Sequence, residues 1–475
     1  MPFDVDLPLL PIKLDSTSNG EFLPRPLARE HHQANRAARE EVAIAAKRTA
    51  CDRRKFLTSA AAASATLLAF NEVYSAAGLG TGGFFEIPAD AAFDNALAAR
   101  ELGSSDFIFD VQGHYVVPPS LVRTLKPRCR SEFDELSRRY MECIGADAFI
   151  KDIFLDSDTD FMVLSFIPSR RDAEPLTALE AVATRSIVER MEGSQRLLIH
   201  GRVNPNQDGD IDDMEELSEQ GVVAWKCYTQ WGPDGRGFFL YDEDCGIPFI
   251  EKARSLGIKR ICIHKGIPFG RQSYEHSLCG DIGRVARQFP DVDFLIYHSG
   301  YVPGQTEGPY DKTRVEGLDG LINAALDEAG RPLPNVYAEL GTTWRFLLRN
   351  PTEAGHALGK LLKYLGEDQI LYGSDCVWYG SPQDQIQALR TFQISDEFIE
   401  RFGYPKITAA TRAKIFGQNA ARVYGVGETS DLVDIACDPV SRLRENYKNS
   451  PSPHFRSYGP KTASDFRHLQ TFAAG

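Results

Sequence analysis

The sequence predicts a single (β/α)8 TIM-type barrel, and three observations carry that prediction. Eight short apolar runs rich in Val, Ile and Phe alternate with helical stretches between about residues 105 and 427, the pattern of parallel βαβ units. Eight such units favour closure over an open doubly wound sheet, because closure removes the edge strands. No GxGxxG follows the first run, where Gln112-Gly113-His114 stands, and no phosphate-binding GxxxxGK[ST] follows any run. A nucleotide-binding sheet is therefore the weaker architecture.

The elements follow in chain order. Strands are expected at Phe107–Asp110 continuing to His114, then at Phe161–Ile167, Leu197–Val203, Val222–Tyr228, Lys259–His264, Phe294–His298, Asn335–Leu340 and Ile370–Asp375. Each is short and β-branched or aromatic, as a strand covered on both faces should be. Between them, Leu176–Met191, Asp244–Leu256, Asp281–Phe289, Leu318–Ala329, Glu353–Leu365 and Gln383–Phe392 carry apolar residues at helical spacing, which makes them the outer helices. After about Gly427 the pattern ends, and residues 428–475, with Pro439, Pro451, Pro453 and Pro460, read as a surface tail or an arm to a neighbouring subunit.

The first 77 residues form a different unit. Residues 1–50 are proline-spotted and then polar, and read as poorly ordered or loosely helical. Asp52-Arg53-Arg54-Lys55-Phe56-Leu57 then precedes an Ala- and Leu-rich stretch to about Phe70, with small residues at Ser75-Ala76-Ala77. A basic pair ahead of a short apolar segment is organised like a secretory signal, and the order resembles a bacterial twin-arginine signal. The apolar run of about fourteen residues is shorter than the roughly 20 needed to span a bilayer, which argues against a permanent membrane anchor. The competing reading is a soluble Ala-rich helix in a cytoplasmic protein. Export to the periplasm is the expectation.

With 475 residues, 43% hydrophobic and 25% charged, the chain can bury a large core, which excludes disorder throughout. Sixty-six acidic against 53 basic side chains leave a net charge of -13 and no footprint for nucleic acid. A small-molecule substrate is the expected partner, and the tail is a candidate contact in a homo-oligomer. The nine cysteines are scattered, and no pair has CxxC spacing.

In such barrels the site lies at the C-terminal ends of the strands. The first run places Asp110, Gln112 and His114 on one face by the period of two. The fifth ends in His264, the sixth in His298 and the eighth in Asp375. Imidazoles and a carboxylate converging on a point suit a catalytic zinc or similar divalent ion. His200 also ends a run, but that run continues through Val203, so it reads as packed inside. Around the ends stand Tyr115, Tyr228, Trp231, Lys265, Arg271, Tyr301, Trp344, Arg345, Trp378 and Tyr379. Of these Tyr228, Trp231, Trp344, Arg345 and Trp378, with Lys226, are the candidate substrate contacts, suiting a planar or carboxylated molecule. Glu339, ending the seventh run, reads as a buried hydrogen-bond partner or a substrate contact.

About residues 105–425 resemble the amidohydrolase-related proteins of the amidohydrolase superfamily, which include hydrolases and aminocarboxymuconate-semialdehyde and resorcylate-type decarboxylases. Besides the strand ends, the resemblance rests on Gly221-Val222-Val223-Ala224-Trp225-Lys226, on Leu240-Tyr241-Asp242-Glu243-Asp244 and on the closing Lys414-Ile415-Phe416-Gly417-Gln418-Asn419-Ala420-Ala421-Arg422-Val423-Tyr424-Gly425. It implies His114, His264 and Asp375 as ligands of one divalent metal, zinc first and manganese second. It also implies His298 as ligand, acid, base or polarising donor, and Asp375 as the proton carrier. The family's usual Asp-x-His-x-His is here Asp110-Val111-Gln112-Gly113-His114. Gln112 offers only an amide oxygen, which leaves three outcomes: a more weakly bound metal with Gln112 as ligand, a harder ion tolerated by oxygen ligands, or a metal-free site in which Gln112 only hydrogen-bonds. Lys226 matches a lysine that some branches carbamylate, and here reads as a cation for an anionic substrate. The implied activity is hydrolysis of an amide, lactone or ester. Decarboxylation of an aromatic or muconate-like acid with the same residues, and a non-catalytic binding protein, are the alternatives.

Overall fold

The computed structural model describes residues 9–103, 106–116, 145–192, 195–426, 442, 445–447 and 449–467. Eight strands, β1 (Phe109–Gly113), β2 (Phe161–Leu164), β3 (Leu197–Arg202), β4 (Ala224–Tyr228), β5 (Arg260–His264), β6 (Asp293–Tyr297), β7 (Val336–Glu339) and β8 (Ile370–Leu371), form one parallel sheet in chain order. Every expected run overlaps a strand. The N–H of Val111 donates to the Tyr372 carbonyl at 3.1 Å, and those of Asp375 and Val377 donate to Gln112 and His114 at 3.0 and 3.1 Å. These bonds join the first strand to the last, so the sheet closes as a TIM barrel. The ladder of β8 is short because Tyr372 turns its N–H to Ile415 instead.

Alternate residues of each strand face inward. Phe109, Val111, Phe161, Val163, Ala224, Cys262, Leu295, Tyr297, Tyr337 and Leu371 fill the barrel. Ala420, Val423 and Tyr424 of the closing helix Asn419–Tyr424 pack under them. Ile108, Met162, Trp225, Ile261, Ile296 and Ala338 point the other way, into the core beneath the outer helices. Both faces are therefore dry, which is why the strands read as continuous apolar runs. The apolar floor leaves the C-terminal mouth as the place where polar side chains gather.

Of the two expectations for residues 1–50, poor order or helix, the structure shows helix. Arg29–Arg48 and Ala60–Ala76 are helices. Ala34, Ala38, Val42 and Ala45 of the first lie buried in the same apolar core as Ala61, Ala62, Ala65, Leu67 and Phe70 of the second. Alanine has the highest helix propensity and its small side chain lets helices approach closely, so this Ala-rich run makes a good packed helix. The pair Arg53 and Arg54 sits in the first turn of a short helix whose cap, Asp52, accepts from the N–H groups of Arg54 and Lys55. Among the described residues no helix is long and apolar enough to cross a membrane.

Ahead of these helices, residues 13–22 run over the barrel mouth as a strap. Lys13 pairs with Asp384 at 2.9 Å and Asp15 with Arg345 at 2.6 Å. The described part of the tail braces the strap from outside. The Ser18 N–H donates to the Pro460 carbonyl at 2.9 Å, the Ser16 hydroxyl to that of Lys461 at 2.8 Å, and the N–H groups of Tyr458 and Gly459 both reach the Trp378 carbonyl.

Phe70 is fully buried in the Ala60–Ala76 helix. Phe70→Ala should therefore destabilise the protein by about 3–5 kcal/mol, read as a lower urea midpoint. An unchanged midpoint would mean that this helix does not pack on the barrel.

Candidate metal centre at the barrel mouth

β5 ends in His264, and His298 follows β6 directly. The backbone fixes both rings. Nε2 of His264 lies 3.2 Å from the Ile267 carbonyl and Nδ1 of His298 lies 2.8 Å from the Gly341 carbonyl. A carbonyl only accepts, so these two nitrogens carry the protons. The other nitrogens, Nδ1 of His264 and Nε2 of His298, then face each other as lone pairs 3.1 Å apart. Glu21, from the strap, brings Oε1 to 3.7 Å from Nδ1 of His264. Burial pulls the His264 pKa well below its ordinary value and that of His298 down to about 4, so both rings are neutral. Neutral imidazole is the form that binds metal.

Glu21, His264 and His298 each place one ligand atom within 4.8 Å of the others. Two imidazole nitrogens oriented by carbonyls, with one carboxylate oxygen, fit a divalent cation. The family implied by the sequence is generally metal-dependent, and this donor set agrees with it.

Asp375 lies beside this trio. Its Oδ1 accepts from the Gln112 amide at 2.9 Å and stands 3.2 Å from Nε2 of His114. Its Oδ2 accepts from Asn19 at 2.9 Å and from the Thr342 hydroxyl. Burial would raise this carboxyl, but His114 above all outweighs it and the group is held below the usual carboxylate range. His114 stacks on Trp378, with ring centroids 5.8 Å apart, and its Nδ1 is buried without a hydrogen bond. Gln112 thus faces Asp375 as a hydrogen-bond donor through its amide nitrogen.

Backbone strain marks the same region. His298, Ser299, Thr342 and Asp375 all hold positive φ, between 51° and 65°. For residues with a Cβ this costs on the order of 1–3 kcal/mol each, and such strain gathers at functional sites. Glu339 helps to hold it: its two oxygens accept from the N–H groups of His298 at 2.9 Å and Gly341 at 2.6 Å. Burial raises its pKa to about 8. The carboxylate passes so close to Gly373 that a Cβ there would overlap it, which is why that position is glycine. Glu339 is the buried hydrogen-bond partner.

Asp110 does not share the face of Gln112 and His114. The register between β1 and β2 shifts between Asp110 and Gly113, a bulge that breaks the period of two. Asp110 accepts instead from the N–H groups of Gln112 and Ser374.

Lys226 is fully buried on β4, with Nζ 3.7 Å from the Tyr297 ring centroid, 4.7 Å from that of Tyr228 and no hydrogen-bond partner. Burial lowers its pKa. Tyr228 stacks on His264 at 4.7 Å. The remaining candidate substrate contacts scatter. Trp231 is half-buried and its carbonyl takes the Asn206 amide. Trp344 is buried against Phe392, its indole N–H on the Gln385 carbonyl. Arg345 holds Asp15 and lies over the Tyr379 ring, and so serves the strap. His200 is packed inside against Tyr297 and Tyr424.

Three residues escaped the sequence reading: Glu21, Asn19 and Thr342. Thr342 follows the seventh strand by three positions, and its only signal was that place. Asn19 and Glu21 lie more than 350 residues from Asp375, and no spacing rule joins them to it.

An amidohydrolase family model matches residues 152–426, more than half of the chain. No curated protein matches. Among solved structures, a proposed 2-pyrone-4,6-dicarboxylic acid hydrolase of Pseudomonas putida is similar at 16% identity and a TM-score of 0.40, covering 68% of this chain and 98% of its own. A 2,6-dihydroxybenzoate decarboxylase from Rhizobium is similar at 15% identity and 0.41, covering 68% and 99%. A 5-carboxyvanillate decarboxylase of Sphingomonas paucimobilis is similar at 13% and 0.36, covering 68% and 100%.

Replacing Arg345 by Ala should release the strap. Tryptic cleavage after Lys13 should quicken at least about tenfold, the effect of about 1.4 kcal/mol on a local opening. An unchanged rate would remove Arg345 as the anchor.

Proposed function

The chain belongs to the amidohydrolase family, and on that premise we propose that it is a metal-dependent hydrolase cleaving an amide, lactone or ester of a small carboxylated or aromatic molecule. The observation that carries this reading is the pair of lone pairs on His264 and His298, 3.1 Å apart and beside Asp375. Zinc is the preferred ion, since two imidazoles and a carboxylate are a common catalytic zinc set. When bound, such an ion polarises a carbonyl and acidifies water.

The side chains do the rest. Asp375 takes the proton of the attacking water, and as the carbon–nitrogen or carbon–oxygen bond breaks it returns that proton to the leaving group. Gln112, Asn19 and Thr342 hold the carboxylate ionised and fixed in direction. His114 stands within reach of the same oxygen as Gln112 and steadies the charge. Lys226 receives a substrate carboxylate, for which its unpartnered ammonium and the flanking Tyr228 and Tyr297 rings are suited. A cleft of about 630 Å³ lined by Glu21, Phe22, Phe269, Pro303 and Phe466, with Arg25 on its wall, opens to solvent at Glu21. Its size and apolar walls suit a small organic acid.

Lys226 also supports the second reading, decarboxylation of an aromatic or muconate-like acid. There the same cation orients the carboxylate that leaves, and Asp375, having first taken a proton from water, delivers it to the ring carbon as the carbon–carbon bond breaks and carbon dioxide departs. Incubation with lactones, amides and hydroxybenzoates separates the two by whether an acid or carbon dioxide is released.

Asp375→Asn should lower turnover by about 10²–10⁴ while the bound metal remains. Turnover within a few-fold of the parent would refute Asp375 as the proton carrier. Lys226→Met should raise KM for carboxylated substrates roughly ten- to hundredfold, the worth of a hydrogen bond to a charged group, and change little for neutral lactones. Equal losses on both classes would remove the substrate role of Lys226.

A further inference from the structure

We infer that Glu21, carried by the N-terminal strap, is the carboxylate ligand of the metal and takes the place of the histidine missing from β1 at Gln112. This rests on the metal-dependent reading above and adds to it the source of the third ligand.

Three observations support it. First, Glu21 is aimed. Its Oε2 accepts from the Asn19 amide at 2.6 Å, while Oε1 is turned to the lone pair of His264 at 3.7 Å. Asn19 in turn accepts the Glu21 N–H at 3.0 Å and donates to Asp375 at 2.9 Å. Second, the turn that presents Glu21 is built for the purpose. The Ser18 hydroxyl donates to the Phe22 carbonyl and accepts from the Gly20 N–H, and Gly20 takes φ of 90°, which residues with a Cβ rarely adopt. The turn is tied down at Asp15 by Arg345 and at Ser18 by Pro460. Third, the β1 position that would carry a histidine holds Gln112, whose amide nitrogen donates to Asp375 and whose oxygen, without a hydrogen-bond partner, lies against Gly341.

Two imidazoles of the barrel and one carboxylate of the strap make a complete donor set with room for water. The strap therefore does more than cover the mouth. A chain cut after Ala77 would lose one of its three ligands, so the working enzyme keeps its N-terminus.

The test uses the full chain, freed of metal with a chelator and dialysed against a series of zinc chloride concentrations, with bound zinc measured by mass spectrometry. Cobalt(II) is loaded in parallel and its visible spectrum recorded. The parent should take up one equivalent. Glu21→Gln should bind zinc at least about tenfold more weakly, the least that loss of a ligand should cost given that outer partners of a ligand cost that much, and should change the cobalt bands. Coinciding thermal unfolding of the two metal-free proteins shows that the loss is not one of folding. If Glu21→Gln does not fold, Glu21→Asp, which keeps the charge and shortens the reach, should still shift the cobalt bands. Unchanged zinc affinity and cobalt bands in the folded variant overturn the assignment of Glu21 and leave the metal-dependent reading standing. A parent that takes up no metal overturns both.

Discussion

The carbonyls of Ile267 and Gly341 govern the mouth of this barrel. Each takes the one proton of a neutral imidazole, and by doing so turns the bare nitrogen of His264 toward that of His298. Two lone pairs at 3.1 Å repel one another in a buried, weakly polar place, so the arrangement persists only because the surrounding structure enforces it. Glu339 does much of the enforcing. By accepting from the N–H groups of both His298 and Gly341 it locks the ring-bearing residue to the residue whose carbonyl orients the ring. Outer partners of this kind fix tautomer and direction in metal sites generally.

The rest of the mouth is assembled from the two ends of the chain. Strand order alone brings β1 beside β8, and so Gln112 and His114 beside Asp375. The strap and tail then close over them. Asp15 is held at once by Arg345 and Ser457, and Ser18 by Pro460, so segments more than 400 residues apart in sequence form one layer. Such contacts exist only in the folded chain. A site covered this way excludes water from its charged groups, which strengthens every interaction beneath the cover.

The barrel was legible because its signal is periodic and local. Every strand overlaps one of the apolar runs, since strands buried on both faces need continuous apolar sequence, and His264, His298 and Asp375 were found by their place at the ends of those runs. The limits of that reading are equally physical. A strict period of two put Asp110 with Gln112, and a bulge undid it. Trp344 and Arg345 looked like a substrate wall because sequence gives a residue's nearness to a strand end and says nothing of its rotation about the following helix. The Ala-rich helix Ala60–Ala76 and an export signal share a composition. Glu21 and Asn19 act through contacts hundreds of residues distant, made by a turn that no hydrophobic pattern announces.

Charge gives the arrangement its direction. The chain's net charge of -13 describes mostly solvated surface, but the mouth is acidic on its own account: Glu21, Glu339 and Asp375 are gathered there around Lys226. Burial and the nearby Asp375 push Glu21 up to about 8, and burial does the same to Glu339. A divalent cation between His264, His298 and Glu21 would offset this excess and let Glu21 ionise fully. Metal binding and strap closure are then the same equilibrium seen from two sides. The strap supplies a ligand, so whatever holds the strap down raises metal affinity, and by linkage the metal holds the strap by the same free energy. In an ordinary barrel site, with every ligand on a strand end, the metal would stabilise the barrel alone. Here it would fasten the N-terminal segment to it as well.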